Sequence, residues 1–338
     1  GGWVGWKWMH RPWRPMNPAV VEPRLALAAV RGPVIFGNPA ALAWLEREKP
    51  ALLPPEPQRA RLAQATQDPR LFRVLDRELR FAEVWLLGEP AGFKPLVDHL
   101  IETKDFTLAH VDHTSLVFRR EGGGWSEAEL AAAMRAFADP RERAYAQALA
   151  ASKLIAVRQA EPALKLLQAA EADGPDVPEV WSGWSTYKMS KGLWAEAFVA
   201  AEKALAIDPE FLPAIACRAQ CYYATKRFPA ALLEAGRMLA AQPDDPAMLF
   251  YHAKLAHEAR AYQAEVGSLS RLIGFAEKAG ANVSGYRVYL AQAYASANDA
   301  DNAMDQVTLA MLDPELPREQ RQFADELLQQ LKRAFEGK

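Results

Sequence analysis

Residues 178–209 read PEVWSGWSTYKMSKGLWAEAFVAAEKALAIDP, and the spacing of this stretch against its neighbours decides the fold. Stepping 34 residues forward from Ser185 meets Ala219 and then Ala253, and stepping back meets Ala151, so small side chains share one column. Ala163, Ala197 and Ala231 form a second small column at the same step, and Trp194, Phe228 and Tyr262 form a bulky one. Pro175, Pro209 and Pro243 close the units at that interval. One period running through several independent columns marks a stacked helical repeat, in which each unit buries its apolar face against the next.

These residues resemble the tetratricopeptide repeat family. Its pattern asks for an aromatic early in a first helix, small residues where two helices touch, and a proline after the second. The quoted stretch supplies Trp181, Gly192, Trp194, Glu196-Ala197, Ala204-Leu205 and Asp208-Pro209. The unit from Leu212 supplies Ala219, Tyr222, Phe228, Ala231 and Pro243, and a later one Leu290-Ala291, Tyr294, Ala303, Ala310 and Pro314. The resemblance spans roughly 144–316. It departs from the pattern at Glu265, which stands where the second small residue belongs. Four extra residues precede Leu290, so the second helix of that unit is expected to be longer. The unit from Ala144 lacks the aromatics and is expected to act as an N-terminal cap, and 317–335 as the solvating C-terminal helix.

The resemblance also implies where function lies. In the family the first helices line a concave groove and the second helices face outward. Carried over position by position, the groove would show Ser182, Thr186 and Met189, then Gln220 and Tyr223, then Phe250, Lys254 and His257, then Val288 and Gln292. Some members grip a chain-terminal carboxylate there with clustered basic residues; here Lys254 stands nearly alone. A protein or peptide segment held by aromatic and amide contacts fits better. Glu234 and Arg237 fall on an outward helix and are expected to lie off the groove.

The front half reads differently. PVIF (33–36) ends at Gly37, and Asn38-Pro39 offers a helix cap followed by a proline at the first helical position, ahead of Leu42, Trp44 and Leu45. Asp68-Pro69 repeats that start before Leu71, Phe72, Leu75 and Leu79. AEVWLL (82–87) reads as a buried strand, a helix follows over 94–103, and FTLAHV and SLVFRR form a hairpin across Asp112, His113 and Thr114. The order implies a small, partly parallel sheet with helices packed on it. Residues 121–125 with their three glycines read as a linker and hinge, and Ser126 with Glu129 as a capping box opening the helical half. The expected architecture is therefore mainly α, a tetratricopeptide helical-hairpin solenoid over 126–338 preceded by a small α/β domain over 33–120.

Val84 to Leu87, Asp112 and Val117-Phe118-Arg119-Arg120 also resemble soluble segments that follow the membrane helices of some bacterial glycosyltransferase-like proteins. That resemblance implies an alternative to the scaffold: the soluble C-terminal region of a membrane-bound enzyme, with the repeats recruiting its acceptor. The segment over 1–32 opens with Trp3, Trp6, Trp8 and Trp13 beside Lys7, Arg11 and Arg14, a composition suited to a bilayer–water interface. Its charge alone favours a cytoplasmic face, whereas the whole chain is expected to be membrane-associated on the extracytoplasmic, periplasmic side. No stretch approaches the ~18 apolar residues of a spanning helix.

The chain has 338 residues and a formal charge of −2, so no global basic field holds nucleic acid. Cys217 and Cys221, four apart, read as small buried thiols. His110, Asp112 and His113 make the best candidate metal cluster, but a strand sends His113 to the opposite face and a polar hairpin tip explains all three. PVIFGNPAAL lacks the glycine series and the Lys-Ser/Thr ending of nucleotide loops. Neither G-x-S-x-G nor H-E-x-x-H occurs. The expectation is a non-enzymatic interaction scaffold without metal or cofactor.

Overall fold

A computed structural model describes residues 35–37, 46–47, 50–53, 58–88 and 90–336. The segment over 1–32 and most of the helix expected after Asn38 lie outside these residues.

Among the described residues, four strands form one sheet: β1 (Ile35–Gly37), β2 (Glu83–Leu87), β3 (Thr107–Val111) and β4 (Ser115–Arg119), in the order β1-β2-β4-β3. β1 runs parallel to β2, and β4 pairs antiparallel with both β2 and β3. Helices α1 (Gln58–Ala65), α2 (Pro69–Leu79) and α3 (Lys94–Thr103) accompany the sheet. β2 is buried along its whole length, which is why it reads as an unbroken apolar run rather than an alternation. Asp68 caps α2 as expected, accepting the Arg70 N–H at 2.9 Å, and the helix buries Phe72 and Leu75.

The rest of the described chain is helical: α4 (Glu127–Arg135), α5 (Pro140–Ala156), α6 (Ala160–Asp173), α7 (Pro178–Ser190), α8 (Trp194–Ile207) and α9 (Leu212–Ala224). Then follow α10 (Phe228–Ala241), α11 (Pro246–Glu258), α12 (Tyr262–Lys278), α13 (Ser284–Ser296), α14 (Ala300–Met311) and α15 (Arg318–Glu336). The 34-residue columns are the helix contacts. Ala151, Ser185, Ala219, Ala163, Ala197 and Ala231 are all fully buried, and the Ser185 hydroxyl donates to the Ala197 carbonyl from the facing helix. Three of the four extra residues lengthen the second helix, since α12 has 17 residues where α8 and α10 have 14, and the fourth lies in the connection to α13.

Each turn between paired helices passes through one left-handed residue, at Arg158, Gly192, Lys226, Arg260 and Asn298, with φ between 56° and 73°. These positions repeat the period, 34 apart until the longer unit.

The chain divides into two compact units, Gly1–Ala214 and Ile215–Lys338, with the division inside α9. Within the first, one continuous core runs from Phe72, Leu86 and Phe118 in the α/β elements to Leu130, Leu154, Leu167 and Val180 in α4–α7. Residues 121–124 are exposed, Trp125 packs against this core, and the Trp125 N–H donates to the Leu108 carbonyl on β3 at 2.9 Å. In the second unit, Ala324, Leu327 and Leu331 of α15 cover Val288, Ala291, Val307 and Ala310, so α15 serves as the closing helix.

Candidate functional site

The side chains expected to line a groove divide between the two units. On α7, Thr186 and Met189 are half-buried, whereas Ser182 is buried and its carbonyl takes the Thr186 hydroxyl at 3.0 Å. Thr186 thus satisfies its hydroxyl on its own helix, as mid-helix threonines commonly do.

The second unit brings most of the others together. Phe250, Lys254 and His257 sit at i, i+4 and i+7 on α11, hence on one stripe. The Lys254 ammonium lies 5.4 Å from the centre of the Tyr223 ring on α9, and that ring meets Phe228 edge-on at 5.6 Å. At the other end of the stripe, Phe250 lies 5.8 Å from Tyr286 and 6.0 Å from Tyr289, both on α13. Phe250 and Tyr289 keep 39 % and 40 % of their surface exposed. Gln220 and Lys254 are exposed, and Gln292 is half-buried. The outcome is an aromatic band with one ammonium in its middle, carried by three successive first helices.

Two expectations need correction. Val288 is 2 % exposed, covered by the closing helix α15, and offers no surface to a ligand. It follows Phe250 by 38 residues, so it holds the position that packs toward the next first helix, and here α15 takes that place. Glu234 is not a solvated outward residue either: it is 5 % exposed, clamped by Arg218 at 2.8 Å and Arg237 at 3.0 Å. Conversely, Tyr286 and Tyr289 belong to the band although the carried-over pattern does not select them. Tyr289 continues a column that runs through the buried Gly183 and Cys217 and the half-buried Tyr251, and so carries no sign of an exposed position.

His257 has a further relationship. Its Nδ1 lies 3.2 Å from both carboxylate oxygens of Glu265, the residue that breaks the small column. Glu265 is buried against α11, and burial raises its pKa, although the His257 charge and hydrogen bond pull the other way.

The hairpin tip is organised by Asp112. One carboxylate oxygen accepts the N–H and hydroxyl groups of Thr114 and Ser115, at 2.7–3.1 Å, and the other meets His110 Nε2 at 3.0 Å. Burial alone would raise its pKa, but the His110 bond, the neighbouring histidine charges and the Thr114 N–H together hold it far below the carboxylate range. Among the described residues no group of three or more His, Cys, Asp or Glu could hold a metal ion. Cys217 and Cys221 are free and buried, and burial pushes the Cys221 thiol up to about 11, leaving it protonated near neutrality.

With helix pairs recurring at the sequence period, residues 188–255 match the tetratricopeptide repeat family model. The helix pairs within those residues are tetratricopeptide repeats. The match lies wholly within α7–α11 and does not reach the α/β elements, so it says nothing about the glycosyltransferase-like resemblance of that half. Solved structures that are similar to part of the chain include two described as tetratricopeptide proteins. YrrB, described as a tetratricopeptide protein with an unusual peptide-binding site, is 14 % identical over 60 % of this chain and all of its own, with a TM-score of 0.48. TTC0263, a tetratricopeptide protein of Thermus thermophilus, is 18 % identical over 53 % of this chain and 95 % of its own, at 0.35. A chain of the Naa15/Naa10 complex bound to HypK-THB is 18 % identical over 54 % of this chain but only 28 % of its own length, at 0.45. No curated protein matches the chain by sequence.

Proposed function

We propose that the tetratricopeptide scaffold holds a protein segment along the first-helix face of residues 215–338. The observation that carries this reading is the band Tyr223–Lys254–Phe250–Tyr286–Tyr289, in which large rings stay partly exposed although each already contacts another. Rings so supported lose little entropy on binding and offer large contact area, and a single ammonium can meet a carbonyl or carboxylate of the segment. Gln220, His257 and Gln292 border the band, with Thr186 and Met189 as the corresponding positions on α7. Nothing in the reading requires catalysis by these residues. The Trp-rich segment over 1–32 adds a membrane-surface contact to the proposal on its composition alone; no helix among the described residues is long and apolar enough to cross a membrane.

Photo-crosslinking tests the assignment. A crosslinker placed at Gln220 or at Gln292 should trap a defined partner segment, while one at Leu233, exposed on the outward helix α10, should not. Tyr223→Ala with Phe250→Ala should weaken capture by about 2 kcal/mol or more with helicity unchanged. Crosslinking confined to Leu233 would move the partner to the other face.

A further inference from the structure

We infer that the cleft where β2 begins binds a small organic anion, one carrying a phosphate or carboxylate group. It encloses about 690 Å³ and brings together Arg77, Arg80, Arg119 and Arg120 with Asp76, Glu83 and Glu121, over a floor that includes Phe81. A volume of this order suits a small molecule better than a bare ion.

Two of the acids hold arginines in place. Asp76 accepts both bonds of Arg120 Nη2, at 2.6 and 2.7 Å, while Arg120 Nε donates to the Phe81 carbonyl at 3.1 Å. The same guanidinium lies 4.5 Å from the centre of the Phe106 ring. Glu83 takes Arg119 Nε at 2.7 Å on one oxygen and the Trp85 indole N–H at 2.8 Å on the other. Both guanidinium groups are therefore fixed by bonds that leave the terminal nitrogens of Arg119, and Nη1 of Arg120, without a hydrogen bond among the described residues. Arg77 and Arg80 are exposed on the same cleft and have no ion-pair partner among those residues; Glu121 is the remaining carboxylate. Four cations against three acids leave one positive charge before any ligand enters.

The C-terminus of α2 favours cations by its dipole, and that accounts for Arg77. It does not account for Arg119 and Arg120, which arrive from the end of β4. Planar guanidinium groups already oriented by carboxylates present the paired donors that phosphate and carboxylate oxygens accept, at little further entropic cost.

Titration of the whole chain with pyrophosphate and, separately, with citrate at constant ionic strength tests the inference by calorimetry. Saturable binding of either is expected, with affinity falling as salt rises. Arg77→Ser with Arg80→Ser should weaken it at least about tenfold, since charge-assisted bonds are lost. Arg119→Lys, which keeps the charge but removes the fork, should weaken it as well. Binding of pyrophosphate alone would name a phosphate-bearing ligand, and of citrate alone a carboxylate-bearing one. No saturable binding of either at roughly 10 mM, or binding that both variants leave unchanged, would overturn the assignment.

Discussion

Lys153 Nζ donates a 2.8 Å hydrogen bond to the carbonyl of His113, so helix α5 reaches the tip of the β3–β4 hairpin. Both residues are buried, at 1 % and 7 % exposure. The hairpin and the first helix pair are thus joined by a buried polar contact as well as by a shared apolar core. Lys153→Met retains the stem but removes the donor, leaving the carbonyl without this bond. The expected loss is about 1–3 kcal/mol in urea unfolding. By the same reasoning, a protease that cuts at 122–124 should yield two pieces that still co-elute in native buffer. Pieces that separate spontaneously would show that the core contacts across the linker are weak.

Ala231 lies in the small cluster with Ala235 and Leu255, flanked by Tyr222, Tyr223 and Tyr251. There is no room for added methylenes, so Ala231→Leu should cost about 1–3 kcal/mol and lower the melting temperature. The exposed Leu233→Ala, two residues on, should change it little. Equal effects at the two positions would mean that the helices can part there freely.

The repeat was legible because close helix contact admits only small side chains, and that requirement returns whenever the geometry does, as at Ala197 and Ala231. The left-handed turn recurs just as regularly, yet only Gly192 and Asn298 among its five positions announce it. Arginine and lysine fill the other three, with no composition signal to read. Within the site, stepping by the period found Tyr223, Phe250 and Lys254. It did not find Tyr289, because its column holds the buried Gly183 and Cys217 and the half-buried Tyr251, none of which is exposed. Val288 misled for a different reason: it shares a column with Phe250, which stays partly exposed, but α15 covers it.

Two buried carboxyls should give opposite pH responses. The Asp112 pKa is depressed in the folded chain, so its stabilisation is present above the unfolded value of about 3.9 and is lost as pH falls. Glu265 is raised, so its contribution is fullest below about 4.3 and is lost as pH rises through the folded value. Asp112→Asn should therefore destabilise more at pH 7 than at pH 3. Glu265→Gln should stabilise at pH 7, relative to the parent chain, and make little difference at pH 4. Thermal unfolding of both variants across this range checks the signs; a Glu265→Gln chain that is less stable at pH 7 would mean that the His257 pairing outweighs burial.

Phe250 and Tyr289 meet with ring centres 6.0 Å apart and planes inclined at 59°, each with about two-fifths of its surface still open. Such a pair can serve packing, binding or both, and a double-mutant cycle separates the two. In unfolding, Phe250→Leu and Tyr289→Leu should couple by about 0.5–1.5 kcal/mol, the usual value for an aromatic pair beyond its buried area. In partner capture by crosslinking at Gln292, each single change should also reduce yield under conditions where the variant remains fully folded. Coupling in stability with unaltered capture would assign the pair to holding α11 against α13, and would leave Tyr223 and Lys254 as the groups on which recognition depends.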